Sequence, residues 1–408
     1  MRILFSHTNH PAQFRRLVPH LVRDGHDIVF LARSNEWHAP EAAGYRLIPV
    51  RDHRSAGGAS IHPFLRRLES ALVHGQATFR VARELQQQGW RPDVVINHVG
   101  FGNGLYLSDV FPEARRIGFF EWFYNADGSD LAFLQPEGIS DDHRLRLRTW
   151  NAQILLELAA VDVAITPTHW QLQQFPQWMQ SRFQVIHEGI DVDHLQSLRQ
   201  QGELHRPFGL PSGDQIEVVT YLSRCFEEYR GFPQAMRALA RLQRERPCVH
   251  VLLAGSDEIA YGTPRGDGRS WRQWASEELD WDPARTHWLG ILQNEQYEQL
   301  LQCSDVHLYL TVPFVLSWSL LEAMAAGCTI VASSTAPVIE VMEHERSGLL
   351  VDFWNEDEQV AALHRCLDDL ELRQRCGVGA QATAQNYSAV DGLRQWRAVL
   401  CEDTDQTA

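Results

Sequence analysis

No run in this 408-residue chain approaches the ~20 consecutive apolar residues that would carry a helix across a bilayer. The opening MRILFSHTNH turns polar at once, so no secretory leader is expected. Basic residues are in deficit, 37 Lys and Arg against 52 Asp and Glu, for a net charge of −15. That balance argues against a general nucleic-acid binder, whose ligand recruits a Lys and Arg surplus, but it leaves room for a local pocket that holds one phosphorylated ligand. The seven cysteines all lie at or beyond Cys225, their number is odd, and no CxxC pair occurs. Neither a disulfide framework nor a zinc site follows, and reduced thiols in a cytoplasmic protein are expected. The loop after the first apolar run, SHTNHPAQF, lacks the G-x-G-x-x-G of a dinucleotide binder, which counts against an NAD or FAD enzyme.

What is present has a clear rhythm. A chain of this length exceeds one hydrophobic core, so two domains are expected. MRILF, HDIVFLA, DVVINH, RRIGFF, DVAITPT and FQVIHEG read as strands, with helical patterns between them at QFRRLVPHLVRDG, 63–89 and NAQILLELAAVD. Residues 192–215 gather Pro, Gly and charge and read as a linker. Alternation then resumes with IEVVTYLSR, VHVLLAG, THWLGIL, VHLYLTV, TIVASS and SGLLVD. The helices of this half fall on FPQAMRALARLQRE, EQYEQLLQC, SWSLLEAMAAG and one run over EQVAALHRCLDDLELRQRC. The fold class is therefore α/β: two Rossmann-like, doubly wound domains in series, facing across a cleft, with ligands at the carboxyl ends of the strands. The expected domains are 1–195 and 196–384, with a C-terminal helix at about 385–408 packing back on the first.

The segment 310–327 carries the sharpest chemical signal. Strand VHLYLTV runs through the turn VPFVLS into a helix for which Ser317 is a suitable N-cap and Gly327 a suitable C-cap. Free backbone N–H groups of Leu316, Ser317, Trp318 and Ser319 at a positive helix end suit an anion such as a diphosphate. Glu322, about one turn into the helix, is placed to accept hydrogen bonds from a ribose. Arg224 and Arg230 flank a turn after the first strand of the second half, where guanidinium groups match phosphate oxygens.

Together PFVLSWSLLEAMAAGCTIVAS and RCFEEYRGF resemble the donor site of the family 4 retaining glycosyltransferases, which have the GT-B fold. In that family a Glu, seven residues and a second Glu precede an Ala-Met-Ala-x-Gly segment. Glu322 matches the second Glu, and Phe314 stands where the first, which contacts the transferred sugar, is expected. Arg224 and Arg230 correspond to the family's Arg and Lys, with one extra residue between them. VLLAGSDEIAYG and HWLGIL are similar to the strand ends that line the nucleotide, which adds Gly255, Gly290 and Ile291 to the donor side. The resemblance implies transfer of a sugar from a nucleoside diphosphate sugar, with retention, to a hydroxyl acceptor that is a glycan, a lipid-linked molecule or a small molecule. It implies no cofactor and no metal, the arginines and the helix end taking the place of a divalent cation.

On the acceptor side the family's first loop points to His7, Asn9, His10 and Gln13, each of which reads equally well as a solvated loop residue. His98 and Glu121 end two strands and are the acid–base candidates. Glu121, between Phe120 and Trp122, reads either as a base with a raised pKa or as a buried carboxylate satisfied by its neighbours. Arg66, Arg67, Arg80 and Arg83 on 63–89, and the apolar-tipped stretch 131–139, are the places where a peripheral contact at the inner membrane face would form, although Glu69 and Glu84 dilute the charge. Rival readings are a non-catalytic nucleotide-sugar or glycan binder and another GT-B enzyme such as a sugar-nucleotide epimerase.

Overall fold

The structure, a computed structural model, describes residues 1–33, 44–58, 60–198, 207–211 and 216–401. The first unit is built on strands β1 (Arg2–His7), β2 (Asp27–Arg33), β3 (Arg46–Val50), β4 (Val94–His98), β5 (Arg115–Phe119), β6 (Val163–Thr166) and β7 (Phe183–Val185). They form one parallel sheet in the order β3-β2-β1-β4-β5-β6-β7. Parallel strands are covered on both faces, which is why these segments read as near-continuous apolar runs. Ile3, Leu4, Phe5, Val95, Ile96 and Phe119 are all buried. β3 is not legible in the sequence. Its Pro49 argues against a central strand, but β3 is the edge of the sheet, where a missing N–H costs no ladder bond. The helix Ala389–Cys401 belongs to this unit. It buries Trp396 against Phe14 and Phe119, and Arg397 donates to the Asp24 carboxylate from Nη2 at 2.7 Å and from Nε at 3.1 Å.

The second unit has strands β8 (Glu217–Cys225), β9 (Val249–Ser256), β10 (Thr286–Gly290), β11 (Val306–Tyr309), β12 (Ile330–Ser333) and β13 (Leu349–Val351). Their parallel order is β10-β9-β8-β11-β12-β13. This unit includes residues 190–388 and also 128–136, whereas the sequence suggests one contiguous domain to 195. Packing explains both differences. In the short helix Asp130–Leu134, Phe133 stacks on Trp354 at 5.6 Å and meets Phe353 edge-on at 5.1 Å. Val192–Leu198, expected to be linker, is a helix whose Val192, Leu195 and Leu198 enter the second unit's core. The rest of the linker reading at 199–206 and 212–215, and the end of the C-terminal helix reading at 402–408, lie outside the described residues. The single helix expected near 359–376 is two, Glu356–Asp368 and Leu370–Ala384, because the Asp369 side chain caps the second by accepting from Leu372 N at 2.8 Å.

In each sheet the chain reverses its direction of growth once, between β1 and β4 and between β8 and β11. Such switch points open a crevice at the carboxyl ends of the strands, where ligands of α/β sheets bind. His7 and His98 end β1 and β4; Arg224 lies near the end of β8, and Thr311–Ser317 follow β11. Among the described residues no helix is long and apolar enough to cross a membrane.

Candidate active site

At the β8/β11 switch point the helix Trp318–Ala325 starts as its sequence demands. Ser317 is its N-cap, accepting from Ser319 N at 3.3 Å, and Gly327 ends it with φ +71, the left-handed conformation that Gly adopts without strain. The four free N–H groups expected there are fewer in the structure. Ser317 N donates to the Tyr309 hydroxyl at 3.2 Å, and Ser319 N is taken by the cap. Among the described residues Leu316 N has no partner.

The cation beside this helix start is Arg230. It is 7% exposed and donates from Nη1 to Thr311 Oγ1 at 2.9 Å and to Val315 O at 3.1 Å. No carboxylate lies within ion-pair distance of it among the described residues. Burial acts to lower its pKa, yet Tyr309, Tyr261 and Glu227 more than compensate and raise it. A buried charge whose partners are all neutral is poorly compensated, and an anionic ligand would complete it. Arg224 is exposed and has no ion pair among the described residues.

The remaining donor-side candidates are spread around the sheet's carboxyl edge. Glu322 is half-buried and accepts from the Tyr297 hydroxyl at 2.7 Å, a positioning contact the sequence does not signal. Gly290 and the 74%-exposed Ile291 sit at the end of β10. At Gly255 a Cβ would stand 2.5 Å from Ser223 O and 2.7 Å from the Phe226 ring, so only glycine lets β9 approach β8 there.

In the first unit most acceptor-side candidates form one chain of contacts. His7 Nδ1 accepts from Asn9 N at 2.8 Å, so its proton resides on Nε2, which donates to Gln13 Oε1 at 2.7 Å. That fixes the Gln13 amide, whose Nε2 donates to Glu121 Oε1 at 2.7 Å. His98 Nε2 lies 3.1 Å from Glu121 Oε2, and the His7 and His98 ring centroids are 4.3 Å apart. Burial, with His98's charge next, lowers the His7 pKa to about 2 and keeps that ring neutral. His10 stands apart, its Nε2 2.6 Å from the Tyr45 hydroxyl and its ring edge-on to Phe30.

Of the two readings of Glu121, the raised pKa is wrong. Burial does push it up, but the charge of His98 and the hydrogen bonds from His98 and Gln13 outweigh burial, and the net shift is downward. Glu121 is an ionised carboxylate that holds His98. An imidazole backed by a carboxylate can orient a hydroxyl and exchange its proton.

With both sites in view, comparison with known proteins decides the family. Residues 24–195 match the glycosyl transferase family 4 group, and 205–383 match the glycosyl transferases group 1. The chain belongs to the family 4 group of glycosyltransferases. It is 24% identical over 358 residues to the phosphatidyl-myo-inositol mannosyltransferase of Mycolicibacterium smegmatis, covering 86% of this chain and 80% of that one. A D-inositol 3-phosphate glycosyltransferase from a Nocardioides species is 26% identical over 53% of this chain and 47% of its own length. Anabaena HepE, solved with UDP and glucose, superposes with a TM-score of 0.68 at 20% identity, over 98% of this chain and 100% of HepE. The sucrose-phosphate synthase of Thermosynechococcus elongatus gives 0.69 at 17% identity, over 99% of this chain and 100% of that one. These likenesses confirm two parallel-sheet Rossmann-like domains of the GT-B kind.

In this glycosyltransferase several site-forming residues escape a reading of the sequence. Gln171 Nε2 donates to Glu121 O at 2.8 Å, and Thr311 and Tyr309 organise the helix start, yet none belongs to a recognisable motif. Tyr297 donates to the Glu322 carboxylate, so if Glu322 holds a nucleotide ribose, as the resemblance implies, Tyr297→Phe is expected to weaken nucleoside diphosphate binding by roughly 3- to 10-fold, and Glu322→Ala by about 10-fold or more. Calorimetric titration of both variants checks this; unchanged affinity in Glu322→Ala would remove that residue from the nucleotide site.

Proposed function

We propose that this glycosyltransferase moves a sugar from a nucleoside diphosphate sugar to a hydroxyl acceptor, with retention and without a metal ion. The observation that carries the donor half is Arg230, a buried guanidinium with neutral partners only, beside a capped helix start at a topological switch point. In this reading the second unit binds the donor. Arg230 and Arg224 meet the diphosphate, Leu316–Ser319 supply the helix end, and Glu322 takes the ribose. The base lies toward Gly255, Gly290 and Ile291. Uridine is the first nucleoside to try, since HepE was solved with UDP-glucose.

The bond from the anomeric carbon to the diphosphate breaks, and its electron pair stays on the phosphate oxygen. The acceptor oxygen bonds the anomeric carbon from the same face, and its proton passes to the departing phosphate. Negative charge grows on the diphosphate as this happens, so fixed cations there favour the transition state over the ground state. The first unit binds the acceptor, with His98, held by Glu121, orienting its hydroxyl. Relatives named for phosphatidyl-myo-inositol and inositol phosphate support a polyol or lipid-linked acceptor. Exposed Leu145, Leu155, Leu156 and Trp178 on this unit support its peripheral contact with a membrane.

The test is sugar release and transfer from a panel of nucleoside diphosphate sugars, offered with free glycans, inositols and lipid-linked acceptors in vesicles. Excess EDTA is expected to leave the rate within about twofold, because charge compensation is assigned to arginine rather than to a divalent cation. A rate abolished by EDTA and restored by Mg²⁺ rejects the metal-free reading. Nucleotide binding with no sugar released from any donor means a non-catalytic binder.

A further inference from the structure

We infer that the donor sugar is one in which a hydroxyl has been replaced by an acetamido group or by hydrogen, and that an aromatic wall of Phe314, Tyr229 and Tyr261 selects for it. This rests on the donor reading above and extends it to the sugar.

Phe314 is 8% exposed and meets Tyr229 edge-on at 5.2 Å and Tyr261 at 5.0 Å. Tyr261 itself is 42% exposed. The wall adjoins the buried cation directly: the Arg230 guanidinium carbon is 5.7 Å from the Tyr261 centroid, and Arg230 Nη1 holds Val315 O, the residue next to Phe314. With the diphosphate at Arg230 and the helix start, the nucleoside extends toward Glu322 and Tyr297, and the sugar is left on the side of Phe314.

That side presents the rings of Phe314, Tyr229 and Tyr261. The two buried carboxylates here, Glu227 and Asp130, are committed within the protein. Glu227 Oε2 accepts from the N–H groups of Ala260, Tyr261 and Gly262 at 3.2, 2.9 and 2.9 Å. Asp130 Oδ2 accepts the Tyr229 hydroxyl at 2.7 Å. A sugar hydroxyl pressed against the ring faces would lose its water and find neither of these carboxylate oxygens free to accept its proton, which is unfavourable. An acetamido methyl or a deoxy carbon loses nothing there and gains contact with ring faces.

The experiment compares kcat/KM for matched pairs on one nucleotide, UDP-N-acetylglucosamine against UDP-glucose and GDP-6-deoxymannose against GDP-mannose. The chain is expected to prefer the substituted member of at least one pair by about ten- to a hundredfold, the range available to an apolar pocket. Phe314→Glu, which places a carboxylate in the wall, is expected to shift that ratio at least tenfold toward the hydroxylated sugar. Tyr261→Ala, at a half-exposed side chain whose loss leaves the core intact, is expected to narrow the ratio even if Phe314→Glu fails to fold. Transfer that favours the hydroxylated donors, with a ratio that neither variant moves, overturns the inference and leaves the donor reading standing. Nucleotide binding without transfer from any donor overturns both.

Discussion

Arg230→Ala is expected to lower kcat/KM for sugar transfer by two to three orders of magnitude. A cation about 4 Å from a phosphate oxygen interacts by roughly 4 kcal/mol at an effective dielectric of 20. Removing one preorganised donor to a developing oxyanion typically costs about 10²–10³ in rate. Arg230 has a second duty, since its Nη1 ties Thr311 Oγ1 and Val315 O into the loop after β11. The two roles separate by variant. Thr311→Val removes the oxygen that accepts from the guanidinium and keeps the charge, so it should cost about 1.5–3 kcal/mol of stability and little rate. Arg230→Lys keeps the charge on a group that cannot hold two partners in a fork, and should fall between. If Thr311→Val loses as much activity as Arg230→Ala, the arginine acts as a loop anchor and the diphosphate assignment fails. Arg224, exposed and more screened by solvent, should cost less than Arg230 when replaced.

Why the second unit is more legible than the first follows from where its signals lie. Ser317, Gly327 and the apolar strand VHLYLTV report on contacts within one strand–turn–helix unit, and the structure forms each of them. What escapes are contacts across the fold. The Tyr309 hydroxyl takes a helix N–H that the local pattern leaves free. Phe133 packs on Phe353 and Trp354, residues so distant in sequence that 131–139 reads as a loose apolar-tipped loop. Phe314 is a plain departure from a motif in the sequence; only the structure shows that Tyr229 and Tyr261 complete a wall around it.

In the first unit the residues are legible and their relations are not. His7, Gln13, His98 and Glu121 come from three separate segments, and nothing local joins them. At Glu121 the sequence leaves two readings open, and the contacts choose between them. Its neighbours Phe120 and Trp122 suggest an apolar pocket, but adjacent side chains of an extended chain point to opposite sides. Phe120 packs on Phe175, and Trp122 on Trp170. Glu121 itself meets His98 and Gln13, and those contacts reverse the direction in which its pKa moves.

Glu157, which carries no motif at all, gives the largest effect expected on stability. It lies on the helix Ala152–Ala160, is 1% exposed, and accepts from Asn97 Nδ2 at 2.9 Å and Gly100 N at 3.3 Å. Burial pushes its pKa up to about 8, although the N–H groups of Gly100, Gly102 and Gly104 pull the other way. Below the ordinary pKa both folded and unfolded states hold the proton, and the group has no effect on the slope. Between that value and about 8 the unfolded chain has lost the proton and the folded chain still keeps it. Stability therefore falls as pH rises through this window and levels off above it. A tenfold difference in proton affinity is worth about 1.4 kcal/mol, so the loss across the window amounts to roughly 3–5 kcal/mol. Glu157→Gln cannot titrate, so the stability difference between wild type and variant should change by that amount between about pH 5 and 8.5, measured by urea unfolding at a series of pH values. Taking the difference cancels His7, whose neutral ring adds the opposite slope below its ordinary pKa of 6.5. A difference independent of pH would mean that Glu157 is ionised in the folded state and held by its N–H donors. The consequence reaches the site, because the glycine loop that wraps Glu157 places the half-exposed Phe101 against the His98 ring at 5.5 Å. At Gly104 a Cβ would stand 2.6 Å from Glu157 Oε2, so this loop has little room to adjust when the carboxyl gains a charge.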